Sequence, residues 1–125
     1  MDFGRIYPGS SNGTASIPNS ADTITCPTGG VCTGSVNRGE IIISGSNNMG
    51  VNISYTNGVL ISGTDTMALD INNVAIGNET STTLSASGEA TIYIGGLLTV
   101  ASNQASGSYS TSNPGGTPYV ISVDY

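Results

Sequence analysis

The chain contains no lysine, no histidine and no tryptophan, and its two cations are Arg5 and Arg38. Without histidine the commonest general base is absent, and a Ser-His-Asp triad cannot form. Without lysine, neither a Schiff base nor a Lys–Asn isopeptide crosslink is available. The acidic residues show no spacing that singles out a catalytic carboxylate pair. We therefore expect a protein that is not an enzyme and that uses no cofactor.

Charge is scarce and unbalanced. Charged residues make up 8% of the chain, against roughly 25% in an ordinary domain. The net charge of −6 leaves no basic patch that could bind nucleic acid or anionic lipid. No apolar run approaches the ~20 residues of a membrane helix. We expect neither a nucleic-acid partner nor membrane insertion, and this composition is typical of secreted and cell-surface proteins.

The cysteines are Cys26 and Cys32, in the stretch C-P-T-G-G-V-C. Two cysteines in a tight loop predict a disulfide formed in an oxidising compartment, and the alternative is a pair of free thiols. A zinc site would need further cysteine or histidine ligands, which the chain lacks. The spacing also differs from a redox C-x-x-C motif. We favour the disulfide.

Glycine, serine, threonine and asparagine form about half of the chain. This mixture disfavours helices and suits short strands joined by turns. At 125 residues the chain is long enough for one domain, so we assign residues 1–125 to a single domain. About eight to ten short strands with turns at regular spacing predict an all-β, antiparallel β-sandwich.

Several segments carry strong strand signals. Gly39 to Ser44 contains three consecutive isoleucines, which predicts a strand covered on both faces. Val51 to Tyr55 alternates apolar and polar residues, and Asn57-Gly58 after it predicts a type I′ hairpin turn. Gly13 to Ile17 and Asp22 to Cys26 are predicted to pair as an earlier hairpin.

The second half of the chain shows the same alternation. Ala90, Ile92 and Ile94 fall on one face of a predicted strand, and Gly95-Gly96 predicts a kink before pairing resumes. The chain ends in Y-V-I-S-V-D-Y, a further alternating strand.

Four residues could supply oxygen ligands to Ca²⁺, namely Asp65, Asp70, Asn72 and Asn73. They follow neither the EF-hand loop nor the calcium-binding nonapeptide repeat. We interpret them as ordinary turn residues.

The order of several stretches along the whole chain resembles a family of secreted bacterial domains. The stretches are M-D-F-G-R-I, P-G-S-S-N-G-T-A-S-I, L-S-A-S-G-E-A-T-I-Y-I-G-G-L-L-T-V, A-S-N-Q-A-S-G-S-Y and Y-V-I-S-V-D-Y. The family is of unknown function, occurs in Gram-negative bacteria, and is similar to spore coat protein U and to chaperone–usher pilins. The resemblance implies an immunoglobulin-like, pilin-like sandwich, exported through the periplasm to the cell surface.

The chain departs from that pattern in two places. S-T-S-N-P-G-G-T-P intervenes between Tyr109 and Tyr119, and the alternating strand that normally precedes D-F-G is missing. We expect a signal peptide and a first strand upstream of Met1. The sandwich then lacks its first strand because that strand was removed, lies outside this chain, or is supplied by a neighbouring subunit.

These observations lead to two functional hypotheses. The first is a structural subunit of an extracellular fibre, joined head to tail by donor-strand addition, with a periplasmic chaperone and an outer-membrane usher as partners. A groove for the donated strand is predicted to be lined by Phe3 and Ile6 of the opening strand and by Ile121 and Val123 of the last strand. The second is a monomeric secreted carbohydrate-binding or adhesin module.

Overall fold

Short strands make up nearly all of the regular structure, as a computed structural model that describes residues 1–125 shows. The strands are β1 Arg5–Tyr7, β2 Gly13–Ile17, β3 Val31–Thr33, β4 Gly39–Ser44, β5 Gly50–Thr56, β6 Gly58–Ser62, β7 Asp65–Asp70, β8 Ser81–Thr83, β9 Glu89–Ile94, β10 Gly96–Val100 and β11 Val120–Asp124. The one helical element is a 3₁₀ turn at Val74–Ile76, and no helix is long and apolar enough to cross a membrane.

All strand pairs are antiparallel. The hydrogen-bonded groups have the orders β2-β10-β7-β6, β11-β5-β8, β4-β9 and β1-β3. The all-β, antiparallel prediction is confirmed, and the arrangement is consistent with a β-sandwich.

Two of these groups are parts of one bent ribbon. Between the β4-β9 and β5-β8 pairs, the Gly45 N–H donates to the Gly88 carbonyl (2.9 Å) and the Leu84 N–H donates to the Met49 carbonyl (2.8 Å). The β4–β5 run therefore stays alongside the β8–β9 run through the corner that separates the two groups. As a result, β4 and β5 behave as two halves of one long strand.

The predicted kink between β9 and β10 lies at Gly95. A side chain at this position would collide with the backbone of Ile17 and Asn19. Only glycine permits this approach, which lets β9 leave one group of strands and β10 enter another.

Apolar residues from six of the strands, together with residues outside the strands, form one core. The fourteen members of the buried cluster are Phe3, Ala15, Ile17, Ile43, Val51, Ile53, Tyr55, Leu69, Ile71, Leu84, Ile92, Ile94, Leu98 and Val100. The alternation predicted for β5 and β9 is confirmed. The odd-numbered apolar residues of β5 and the even-numbered apolar residues of β9 point into this core.

Two local predictions are wrong. Ile42 is 64% exposed, so β4 is not covered on both faces. The Asn57-Gly58 pair does not form a hairpin turn, because β5 pairs with β8 and β11 while β6 pairs with β7. The Asn57 carboxamide instead accepts the Ile71 N–H (2.9 Å), which fixes a corner. The tight turn lies one strand later, at Gly63 with φ 63°.

The predicted first hairpin is present only in part. Gly13–Ile17 is strand β2, but residues 22–26 contribute a single antiparallel bridge, between Ser16 and Thr25. The long partner of β2 is β10, and after β2 the Asn19 N–H donates to the Ile76 carbonyl (3.1 Å).

Candidate strand-acceptor edge

One edge of the long β4–β5 run is paired with other strands along β4 and the first part of β5. β9 pairs with β4 from Gly39 to Ser44, and β8 pairs with β5 from Gly50 to Asn52. This edge is closed by the neighbouring strands.

The opposite edge of the same run has partners at both ends and none in the middle. Before β4, Asp2 and Asn37 exchange two backbone hydrogen bonds, at 2.7 and 2.9 Å. Along β5, strand β11 pairs from Asn52 to Thr56. Between these two partners, β4 has no strand beside it. We call this unpaired side of Gly39–Ser44 the acceptor edge.

Hydrogen bonds at the end of β4 show which backbone groups point to the acceptor edge. The Gly45 N–H is directed across the ribbon to Gly88, while the Ser44 carbonyl accepts a bond from the Tyr125 hydroxyl (2.7 Å). Successive residues of a strand direct their N–H and C=O groups to opposite sides. The same alternation places the backbone groups of Glu40 and Ile42 on the acceptor edge.

The side chains of β4 divide between the two faces of the strand. Gly39 and Ile43 are buried and Ile41 is half-buried, whereas Glu40 and Ile42 are exposed. Ile41 packs against the core cluster. The acceptor edge therefore combines unpaired backbone groups with a partly uncovered part of the apolar layer.

The two chain termini lie at opposite ends of the acceptor edge. Met1 packs against the core next to the Asp2–Asn37 bridge. Tyr125 follows β11, and its hydroxyl reaches Ser44 although the residue is 66% exposed. Along β4 itself, no strand of residues 1–125 lies on this edge.

The four residues predicted to line a groove all belong to the core or pack against it, but they lie in two places. Phe3 is buried in the core cluster, and Ile6 of β1 packs against it. Ile121 and Val123 are half-buried on the inward face of β11, also against the core. Phe3 and Ile6 line the same surface groove, and the β11 pair does not. That a donated strand contacts these four residues stays a prediction.

The groove that contains Phe3 and Ile6 has a volume of about 730 Å³. Its other walls include Leu60, Met67 and Leu98 from three neighbouring strands, and the segment 104–109 after β10. That segment is held in shape by its own side chains, because the Gln104 amide donates to the Tyr109 hydroxyl (2.9 Å) and that hydroxyl donates to the Ala105 carbonyl (2.8 Å). The groove has an apolar floor and a polar rim.

The predicted disulfide is present between Cys26 and Cys32, with their Cα atoms 5.9 Å apart. Cys32 lies in β3 opposite Ile6 of β1. The bridge therefore ties the β1-β3 pair to the segment that precedes β3. Inside the loop it closes, the Gly30 N–H donates to the Pro27 carbonyl (2.8 Å).

Arg38 lies between the Asp2–Asn37 bridge and β4, and it fixes this end of the acceptor edge. Its Nη1 donates to the Asn19 carbonyl (2.6 Å), and its guanidinium carbon lies 3.7 Å from the centre of the Tyr93 ring. The Asp22 carboxylate accepts the Arg38 backbone N–H (2.8 Å) and lies 3.7 Å from Nε. These contacts hold the 19–22 segment against β4 and β9.

Two of the residues considered as calcium ligands, Asp70 and Asn73, accept hydrogen bonds within their own turns. The Asp70 carboxylate accepts the Asn72 N–H (2.9 Å), and the Asn73 side chain accepts the Ala75 N–H (3.0 Å) at the start of the 3₁₀ turn. The structure contains no group of three or more histidine, cysteine or acidic residues arranged to hold a metal ion.

A family model described as "Domain of unknown function (DUF4402)" matches residues 1–125. The chain belongs to this family. No curated protein and no solved structure matches it. The acceptor edge is therefore a feature of a DUF4402 domain.

The acceptor edge itself was missed by sequence reasoning. The three isoleucines of β4 predicted a strand covered on both faces, whereas the strand pairing shows that β4 has a partner on only one edge. Nothing in the local sequence marks the bridge between Asp2 and Asn37, because the two residues are far apart in the chain. The only sequence signal for an unpaired edge was the upstream strand that the family resemblance leads us to expect, and that strand stays a prediction.

Proposed function

We propose that this DUF4402 domain is a structural subunit of an extracellular bacterial fibre or pilus-like filament, polymerised by donor-strand addition at the acceptor edge. The observation that carries the proposal is the interruption in pairing along β4, between Asp2 at one end and β11 at the other. On this edge, the six residues of β4 have no partner, although the edge is paired before and after them. An unpaired stretch of this kind is a site for β-augmentation.

The physical reason is that an unpaired strand edge presents backbone donors and acceptors in a fixed row. A strand from a neighbouring subunit replaces water on those groups and covers the half-buried Ile41 at the same time. The contact is heterologous, since the donated strand and the edge are different surfaces. Repeating a heterologous contact without closure produces a filament.

The composition supports a location outside the cytoplasm. The disulfide is compatible with an oxidising compartment, and the low charge suits a protein packed against copies of itself. An exposed edge also favours unwanted pairing before assembly. We therefore include a periplasmic chaperone and an outer-membrane usher in the proposal, together with the immunoglobulin-like, pilin-like form of the sandwich.

The test is electron microscopy of the protein sheared from its native cell surface, with its N-terminus read by mass spectrometry. Filaments that survive boiling in mild detergent support the proposal. A monodisperse monomer at the highest attainable concentration, whose acceptor edge is covered by its own chain, contradicts it.

The second candidate is the monomeric carbohydrate-binding or adhesin module, and the groove beside Phe3 favours it. This groove exposes polar groups of Gln104 and the ring of Tyr109 above an apolar floor. Binding of a panel of oligosaccharides, followed by isothermal titration calorimetry, would test it. Loss of that binding in Tyr109→Ala, with filament formation absent, would favour the module over the fibre subunit.

A further inference from the structure

We propose that residues 110–117 form an autoinhibitory strap, which closes the free edge of β6 against strand addition. The strap bonds to the backbone of β6 but places no side chain in the core, so it can leave the edge while the rest of the fold stays intact. When the strap leaves, β6 becomes a second acceptor for an extended strand. This inference goes beyond the proposed function, because it concerns β6 and not the acceptor edge of β4.

The strap occupies the edge of β6 that has no strand partner. Strand β6 lies at one end of the group β2-β10-β7-β6, and β7 pairs with its other edge. Val59 exchanges two backbone hydrogen bonds with Thr117, at 2.8 and 2.9 Å, and Ile61 exchanges two with Ser110, at 3.1 and 3.2 Å. Successive residues of a strand direct their N–H and C=O groups to opposite sides. Val59 and Ile61 are therefore the residues of β6 that point away from β7, and the strap pairs both of them.

The strap is not a further strand of the sheet. A regular antiparallel strand that continued the bridge at Val59 would place Gly115 opposite Ile61. The structure places Ser110 there instead, so the chain between the two bridges turns back on itself. Gly115 has φ 90°, and a side chain at this position would come within 3.1 Å of the Ile61 Cδ1 atom. Glycine thus allows the turn to lie against β6.

The Asn113 side chain fastens the strap to the edge that it covers. Its Nδ2 donates to the Ile61 carbonyl (2.7 Å) and to the Ser108 carbonyl (2.9 Å). The Asn113 backbone carbonyl accepts the Gly116 N–H (2.9 Å), which closes the turn. Asn113 therefore joins the turn both to β6 and to the chain that enters the strap.

Polar contacts, and not burial, hold the strap in place. Its sequence is S-T-S-N-P-G-G-T, and none of its residues is buried or belongs to the core cluster. The residues on either side are fixed, because the Tyr109 hydroxyl bonds to Gln104 and Ala105 and Tyr119 packs against the core. Opening the strap breaks hydrogen bonds to β6 but takes no buried side chain out of the core. Segments held in this way open locally at low free energy.

An open strap leaves β6 ready to accept a strand. The N–H and C=O groups of Val59 and Ile61 are then unpaired in a fixed row, beside three successive half-buried apolar side chains that include Leu60. Such an edge takes an extended segment by β-augmentation, for which the strap competes. The closed strap does not pass this property on, because Pro114 within it and Pro118 after it have no N–H to offer.

The fastening is tested by hydrogen–deuterium exchange of the full chain, read by mass spectrometry at the level of single amides. Asn113→Ala removes two hydrogen bonds of the strap, and we expect the amides of Val59 and Ile61 to exchange about tenfold or more faster. The Leu60 amide, which points to β7, keeps its wild-type rate. The matched control is Asn103→Ala, which changes an exposed asparagine outside the strap and is expected to leave all three amides unchanged.

A second pair of variants tests the same point through the backbone. In Gly116→Ala the new Cβ would lie 2.6 Å from the Thr111 carbonyl oxygen, so the turn has to open, whereas at Gly50 no atom lies within 4 Å of an added Cβ. We expect Gly116→Ala to speed the same two amides and Gly50→Ala to leave them as in wild type. Circular dichroism confirms that each variant is folded. Wild-type rates in both strap variants, or equal acceleration of the Leu60 amide, would overturn the inference.

Strand acceptance is tested by adding the capped peptide Thr-Val-Thr-Val-Thr-Val to the same exchange measurement. In Asn113→Ala, the peptide is expected to return the amides of Val59 and Ile61 to their wild-type rates, and in wild-type protein to leave them unchanged. Amides that stay fast at the highest soluble peptide concentration would refute an acceptor at β6. Equal peptide protection in wild type and variant would refute inhibition by the strap. These amides report on β6 in monomers and filaments alike, so the result is independent of the proposed fibre.

Discussion

Replacement of Arg38 by methionine is expected to destabilise the protein by about 2–3 kcal/mol. Methionine keeps most of the length and apolar packing of the side chain but removes the guanidinium. The hydrogen bond to the Asn19 carbonyl is charge-assisted and part-buried, which makes it worth about 1.5–3 kcal/mol. The stacking on Tyr93 adds about 0.5–1 kcal/mol.

The ion pair with Asp22 contributes little to that sum. The atoms are 3.7 Å apart and the Asp22 side chain is 53% exposed, so solvent screening limits the pair to about 0–1 kcal/mol. Methionine still packs its stem on the Tyr93 ring, which offsets part of the loss. The net of about 2–3 kcal/mol is a large fraction of the roughly 5–15 kcal/mol that stabilises a typical domain.

Urea unfolding followed by tyrosine fluorescence measures the effect, with the slope against urea unchanged if the folded state is the same. Asp22→Asn is the control for the ion pair, because an asparagine oxygen still accepts the Arg38 backbone N–H. We expect it to cost less than about 1 kcal/mol. A free energy of unfolding for Arg38→Met within 0.5 kcal/mol of wild type would refute the assignment of Arg38 as the anchor of the 19–22 segment.

Three further results are expected. Replacing both cysteines of the Cys26–Cys32 disulfide by serine lowers the free energy of unfolding by about 2 kcal/mol, as closure of a short loop predicts. As the control, a reducing agent lowers the free energy of unfolding of the wild type but not that of the double variant. Ile94→Ala costs about 3 kcal/mol in urea unfolding because the side chain is fully buried, whereas the same truncation at the exposed middle isoleucine of β4 stays within about 0.5 kcal/mol. Burial, and then the negative charge of Glu79, raise the pKa of Tyr55 above its ordinary value of 10.0. The folded state therefore favours the neutral hydroxyl. The stability that this contributes is fully present below pH 10 and is lost as the pH rises through the folded pKa. Urea midpoints at pH 9 and pH 11 check this, and a Tyr55→Phe variant that loses as much stability as wild type over that range would contradict it.

The sequence was sufficient to predict strands with strong alternation. The predicted bounds of β4 and the buried face of β5 are confirmed, because one covered face imposes a two-residue period on the chain. The disulfide was also predictable, since Cys26 and Cys32 are close in sequence and few other arrangements suit them. Secretion, filament formation and strand donation stay predictions from the resemblance and the open edge.

The pairing partners could not be predicted in the same way. Asn57-Gly58 has the local signature of a hairpin, yet the Asn57 side chain bonds to Ile71 and directs the chain around a corner instead. Likewise, Ile42 has the same side chain as its two neighbours in β4 but is exposed. In both cases the outcome depends on residues distant in the chain, which local propensity does not report.

By itself, the sequence determined an all-β chain of short alternating strands with one tight disulfide loop and no histidine or lysine chemistry. Tertiary structure alone decided that β4 and β5 form one bent run, that β11 covers only the second half of it, and that Asp2 closes the edge at Asn37. The physical reason is that side-chain alternation is a property of neighbouring residues, whereas hydrogen-bond pairing joins strands across long loops. The acceptor edge exists only at that second level, in the backbone groups of β4 that no other strand of residues 1–125 reaches.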